Sequence, residues 1–377
     1  MSGCRGLRVL AALTALVTAG AVASGAAAAA PPPRASAGER PHVFVIVLEN
    51  ESESATFGAS SPAPYLATTL TGEGAFLRAY YGIGHVSLDN YVAMVSGQTP
   101  NPQTQGDCQV FTDFAPAGVT DANGEAIGTG CVYPASVPTV ADQLDTAGLG
   151  WKGYMDGMGT PCRHPAIDGK DDTQTASTTN EYATRHDPFV YFHSLIDHEA
   201  RCESHVVDLS SLATDLRSRQ TTPNLAFITP DLCDDGHDAP CADGRPGGLA
   251  SADAFLESWV PRITRAPAFG RNGVLVVLFD EAATSDATAC CQEPAGPDTA
   301  SPGVSGPGGG LVGAVVLSPA VRGGTVTDEP YNHYSLLRTI EDVFGLAHLG
   351  AAGQDGLRSF GDDVFTNGRL PGAGAIG

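Results

Sequence analysis

Apolar and polar positions along this chain fall into two alternating rhythms. The runs HVFVIVLEN (42–50), AFLRAYY (75–81), WKGYMD (151–156), NLAFITPD (224–231), GVLVVLFDE (273–281) and LVGAVVLSP (311–319) read as strands. Three are continuously apolar, the pattern of strands covered on both faces in a parallel sheet. Between them come helical patterns: PAPYLATTL, SLDNYVAMVS, SVPTVADQLDTAG, DLSSLATDLRS, ADAFLESWVPRI and HYSLLRTIEDVFG. Ser136 is expected to cap the third and Gly148 to stop it, and Gly345 ends the last. The alternation predicts an α/β fold, a three-layer sandwich with a mostly parallel central sheet and crossover helices on both faces.

Open sheets of this kind bind ligands at the carboxyl ends of their strands. The strand from 42 ends in Glu49 and Asn50, that from 224 in Asp231 followed by LCDDGHD with Asp235 and His237, and that from 273 in Asp280 and Glu281. The segment HVSLDNYVAMVSG (85–97) adds a fourth element: Tyr91, Val92 and Val95 can face a core, which puts Ser87 or Asp89 at the N-cap. A helix N-terminus offers unpaired N–H groups and a positive dipole end, suited to a phosphate or other oxyanion. Taken singly, a cap and polar strand ends explain each feature; together on one rim they point to a site.

Composition narrows the partners. Residues 1–30 carry Arg5 and Arg8, an apolar stretch and the small-residue run SGAAAAA, the layout of a secretory signal peptide. Residues 31–41 read as a Pro-rich lead-in and 369–377 as a flexible tail, which leaves one domain over 42–368. The remaining chain is expected to be secreted, without stable membrane insertion. Removing 1–30 removes two arginines and no acids, taking the net charge from −22 to −24. Such an acidic surface repels nucleic acid and argues against it as a partner. Of nine cysteines, Cys4 lies in the leader; the other eight read as disulfides in an exported chain. Sequence order suggests Cys108–Cys131, Cys162–Cys202 and Cys233–Cys241, with Cys290 and Cys291 bridging each other or pairing elsewhere.

Carboxylates, imidazole and a hydroxyl on one rim suit metal-assisted attack on a phosphoryl or sulfuryl group. In that scheme Glu49, Asn50, Asp280 and Glu281 surround one divalent ion beside Ser87, and Asp231, Asp235, His237 and His333 surround a second. Mixed oxygen and nitrogen ligation is compatible with zinc, manganese or iron, and oxygen alone with magnesium or calcium. The residues leave the metal open.

HVSLDNY resembles the H-P-S-x-P-N-Y motif of the secreted phosphoesterase family that contains acid phosphatases and phospholipases C, a branch of the alkaline phosphatase superfamily. VIVLENES is similar to its V-x-E-N-x-S, YATRHDPFVYF (182–192) to Y-A-x-K/R-H-x-P-F/W, and TPDLCDDGHD to P-N-x-x-N-D-x-H-D. VLFDEA is similar to V-T-W-D-E, and YNHYSLLRTIEDVFGL to the closing helix. The resemblance implies an alkaline-phosphatase-like fold and hydrolysis of phosphate monoesters, small-molecule or lipid, through a phosphoenzyme intermediate on Ser87 with divalent metal assistance. It implies Asn90 as the amide holding a phosphoryl oxygen, Arg185 and His186 as substrate contacts, and His85 as a partner behind the nucleophile. His333 becomes a further ligand or the acid that protonates the leaving group. A phospholipase C-type phosphodiesterase and a non-catalytic binding protein are the alternatives; the longer phospholipases carry extra C-terminal domains, which favours the monoesterase. Four positions depart from the pattern: Val86 and Asp89 replace prolines, Asp231 replaces asparagine, and Ala282 follows Asp-Glu. Asp89 would add repulsion toward an anionic substrate. Glu281, where the superfamily has histidine, would harden the metal site.

Overall fold

Apolar strands dictate the architecture of the computed structural model, which describes residues 3, 40–118, 123–367 and 370–371. The expected leader, nearly all of the lead-in and most of the tail lie outside those residues. One sheet of eight strands organises the rest: β1 (His42–Leu48), β2 (Ala75–Leu77), β3 (Trp151–Met155), β4 (Val206–Asp208), β5 (Leu225–Thr229), β6 (Gly273–Phe279), β7 (Ala314–Leu317) and β8 (Thr325–Thr327). Their spatial order is β8-β2-β7-β6-β1-β5-β3-β4. Only β7 runs against its neighbours, and every other pairing is parallel. All residues of β1, β5 and β6 are buried, as continuous apolar runs require. The two short strands β4 and β8 carry too few residues for a period to show and were not expected from the sequence.

Helices flank the sheet in two groups. α1 (Ser87–Ser96), α2 (Val140–Thr146) and α4 (His333–Phe344) pack on one another. The other group joins α3 (Gly248–Thr264) to the helical turn Tyr65–Leu70, whose first two N–H groups donate to Asp253 of α3 at 3.0 and 2.8 Å. This is the expected α/β sandwich with a mostly parallel sheet. Its predicted caps need two corrections. α2 is capped by Thr139 rather than Ser136, because Thr139 and Asp142 form a reciprocal capping box. α1 has Val86 at its N-cap, so neither Ser87 nor Asp89 caps it; Ser87 is its first helical residue. Gly345 does end α4, in the left-handed conformation at φ 67°.

Four disulfides brace the loops, Cys108–Cys131, Cys162–Cys202, Cys233–Cys241 and the vicinal Cys290–Cys291. Among the described residues no helix is long and apolar enough to cross a membrane.

Register now places the strand ends. β1 and β6 pair from His42 with Gly273 through Leu48 with Phe279, and the Asp280 N–H continues the ladder to the Leu48 carbonyl at 2.9 Å. Glu49 and Asp280 therefore leave the sheet side by side. The loop after β5 folds back so that Glu49 N–H donates to the Asp235 carbonyl at 2.9 Å, bringing Asp235 to the same place.

Candidate active site

Ser87 lies where α1 begins, over those strand ends. Its hydroxyl donates to Glu49 Oε2 at 2.8 Å, and the Tyr91 hydroxyl, one helical turn on, donates to Glu49 Oε1 at 2.7 Å. Residues i and i+4 share a helix face, so the pair grips one carboxylate from the same side. Asn50, at φ 56°, turns back to give its side-chain amide to Glu49 Oε2 and its main-chain N–H to Asp280 Oδ1, each at 3.0 Å. Asp280 Oδ1 also accepts the Glu281 N–H at 2.7 Å. Glu281 itself pairs with His85 Nδ1, and His85 Nε2 meets the Asp286 carbonyl at 3.0 Å.

His186 was expected to touch substrate, but it is buried beneath the serine, stacked on Tyr91 with rings 5.2 Å apart. Its Nε2 lies 3.2 Å from Glu49 Oε1 and its Nδ1 3.8 Å from Asp235 Oδ2. Asp280 Oδ2, Asp235 Oδ2 and His186 Nε2 are all buried without a hydrogen-bond partner. Burial, reinforced by neighbouring negative charge, holds the Glu49, Asp280, Asp235 and Glu281 carboxyls well above their usual range. Burial and the adjacent Arg185 push His186 well down. Buried carboxylate oxygens and an imidazole nitrogen without partners are costly unless a cation reaches them; among the described residues these atoms are not gathered within 4.8 Å of one another, as those of Asp156, Asp231 and Asp234 are.

Above this layer opens a cleft of about 400 Å³. Ser87, Asn50 and Glu281 line it, together with Asp107, Arg185 and His237. Arg185 is tied to Asp107 Oδ2 at 3.6 Å and to the Thr173 carbonyl at 3.3 Å, a buried guanidinium on the same cleft as the serine. Asp107 Oδ1 accepts the Leu88 N–H at 3.0 Å, capping α1 from a distant loop. Neither Asp107 nor the Tyr91 bond to Glu49 was foreseen. Tyr91 was findable from its spacing to Ser87; Asp107, on an irregular loop, carries no local signal.

Five further expected placements are corrected. Asn90 does not face the cleft: its Oδ1 accepts the N–H groups of Ile83 and Gly84 at 2.9 and 3.1 Å, and its Nδ2 donates to the carbonyls of Gly84 and Val86 at 3.1 and 3.2 Å. Fully occupied, it fastens the loop that delivers Ser87. His333 is buried with both nitrogens engaged, Nδ1 with the Tyr80 hydroxyl at 3.0 Å and Nε2 with the Asp280 carbonyl at 2.5 Å, so it buttresses the strand end. Burial lowers its pKa to about 4. Asp231 bonds Asp235 only through the main chain, its carbonyl accepting the Asp235 N–H at 2.9 Å, while its carboxylate joins those of Asp156 and Asp234, their oxygens within 4.8 Å of one another. His237 reaches the cleft, but its ring Nδ1 pairs with Asp238 at 3.0 Å and only its main-chain N–H meets Asp235, at 2.9 Å. Asp89, expected to repel substrate, is buried with its carboxyl packed over Gly84, where no Cβ would fit.

The Phosphoesterase family model matches residues 63–347, which holds α1, the 182–192 segment, the strand ends after β5 and β6, and α4. The chain belongs to that family. An acid phosphatase of Aspergillus fumigatus is 25% identical over 284 residues, 74% of this chain and 51% of that protein. A phosphate-repressible acid phosphatase of Penicillium chrysogenum is 24% identical over 74% of this chain and 54% of its own length. The chain thus spans about half the length of these fungal relatives. A phosphatidylinositol-3-phosphatase of Mycobacterium tuberculosis is 27% identical over 314 residues, covering 82% of this chain and 79% of that one. In fold, the chain is similar to a solved protein of the alkaline phosphatase superfamily from Vibrio parahaemolyticus, with TM-score 0.50 and 12% identity over 86% of this chain and 72% of that chain.

Proposed function

We propose that this chain is an exported phosphoesterase that hydrolyses phosphate monoesters by way of a phosphoserine at Ser87. The observation that carries the proposal is the Ser87 hydroxyl, 2.8 Å from Glu49 Oε2, at the start of a helix and on the same cleft as a buried arginine. Ser87 Oγ, positioned by Glu49, attacks phosphorus as its proton passes to water of the open cleft, and the bond from phosphorus to the leaving oxygen breaks. That oxygen takes a proton from water at the open cleft. A water molecule then attacks the phosphoserine, and phosphate departs as the serine recovers its proton. Splitting one displacement into two lowers each barrier, while Arg185 meets charge on the transferring group.

Glu49, Asp280, Asp235 and His186 would hold a divalent cation. When bound, it supplies charge compensation for the phosphoryl oxygens and lowers the hydroxyl pKa. The chain's own residues set the remainder: Asn90 fixes the delivery loop, Asp107 fixes the helix start, and Tyr91 aims Glu49. Four disulfides fit an oxidising destination and support export. We place the catalytic domain within 42–368.

The test is turnover of a chromogenic phosphomonoester by the oxidised protein, wild type against Ser87→Ala, with trapping of the phosphoserine by acid quench. Equal rates in the two proteins would overturn the nucleophile. Metal content after dialysis, compared between wild type and a Glu49→Gln/Asp280→Asn double variant, tests the cation independently of rate; equal retention would overturn those ligands.

A further inference from the structure

The cleft over Ser87 has a mouth whose chemistry the phosphoryl step does not use. Gln109, Gln174, Thr175 and Thr284 line it, and Val86 is the one apolar side chain among its described lining residues. Gln174 is held in place: its Nε2 donates to Asp171 Oδ2 at 2.8 Å and to the Asp107 carbonyl at 2.9 Å, and its Oε1 accepts from Gln109 Nε2 at 2.6 Å. That arrangement fixes Gln109 with its own Oε1 unoccupied. The Gln109 Oε1 and the hydroxyls of Thr175 and Thr284 have no hydrogen-bond partner among the described residues, and all three side chains are exposed. Three separate loops thus bring uncharged hydrogen-bonding groups, Gln109 held by Gln174, to the rim of the cleft that Ser87 lines, where the leaving group of a phosphate ester must lie.

We infer that this mouth is a recognition platform for a hydroxyl-rich leaving group, so that the site selects phosphorylated polyols over phosphate esters of plain alkyl alcohols. The inference rests on the phosphoesterase reading and adds the substrate class. An alkyl or diacylglycerol leaving group would meet amides and hydroxyls with Val86 as its sole apolar neighbour, losing hydrogen bonds without gaining burial. A polyol replaces rim water with direct bonds to Gln109, Thr175 and Thr284. Because the rim is wet, unpaired groups there are re-solvated, and discrimination is modest: each bond changes relative rate by roughly 2- to 10-fold.

The experiment compares kcat/KM for glycerol 1-phosphate and butyl phosphate, primary alkyl esters that differ chiefly in hydroxyl content, using wild type, Gln109→Leu and Thr284→Val. Wild type is expected to prefer glycerol 1-phosphate by about 10-fold or more, and each variant to shrink that ratio by about 5-fold. A further arm presents a phosphorylated polyol as a lipid headgroup in phosphatidylcholine vesicles. A preference for either polyol form over butyl phosphate supports the platform, and the faster form identifies the source. Ser87-dependent turnover of glycerol and butyl esters at equal kcat/KM overturns this inference alone, as do variants that leave the ratio unchanged. No turnover of any ester overturns the phosphoesterase reading and this inference with it.

Discussion

Two helices of this protein begin with a motif residue, and they begin in opposite surroundings. α1 opens at Ser87 with no side-chain cap of its own, its Leu88 N–H served by Asp107 from a distant loop, and its first side chain lies on the cleft. α4 opens at His333 with Asn332 capping it locally, Oδ1 to Ser335 N–H at 3.1 Å, and its first side chain is sealed in the core. The two pack against each other. A self-sufficient start serves as a foundation, whereas a start completed by tertiary contacts can hold a reactive group against a ligand. The difference explains why two histidine- and serine-bearing motifs that look equally functional in sequence have unequal roles in space.

The comparison is broken most severely at Ser87. Ser87→Ala should lower kcat/KM by about 10³-fold or more while the melting temperature holds, and His333→Ala should do the reverse, losing stability before any change in the chemical step. Comparable loss of activity at equal stability in both would erase the distinction. Asn90→Ala removes four bonds to loop backbone and leaves two buried N–H groups unpaired. It should destabilise the protein by about 3 kcal/mol in denaturant titration. Asn332→Ala removes the cap and the bond from its side-chain amide to Glu293 Oε2 at 3.2 Å, and should cost about 2 kcal/mol with turnover retained.

A smaller effect, confined to α4, depends on pH. Glu341 is buried there, and burial raises its pKa to about 9 from an ordinary value of 4.5. The folded protein therefore keeps this proton where the unfolded chain loses it. Its contribution is fully present below pH 4.5 and is lost as pH rises through about 9. Glu341→Gln should gain stability over wild type at pH 8 and lose that advantage at acid pH, as thermal melts at the two pH values will show.

Much of this was legible in the chain because β1, β5 and β6 are buried on both faces and so write themselves as unbroken apolar runs. The same logic brought Glu49, Asp280 and Ser87 together, since parallel register carries strand ends to a common edge. What escaped was direction. Nothing in the sequence distinguishes an Asn90 that holds a substrate oxygen from one that turns back onto its own loop, as both need the same amide. His186 shows the same limit, exchanging an expected place on the cleft wall for one beneath it. Asp231 and Asp235 are close in sequence, yet the turn between them sends one to Asp156 and the other to Glu49.

All ten residues of α1 are buried, so the serine stands on a pedestal with no solvent face along which change can accumulate. The glutamines and threonines of the rim lie outside that pedestal, on loops of their own. On the proposed reading, exchanging a few of those loop positions would retune what the cleft admits while the buried helix that carries Ser87 stays as it is.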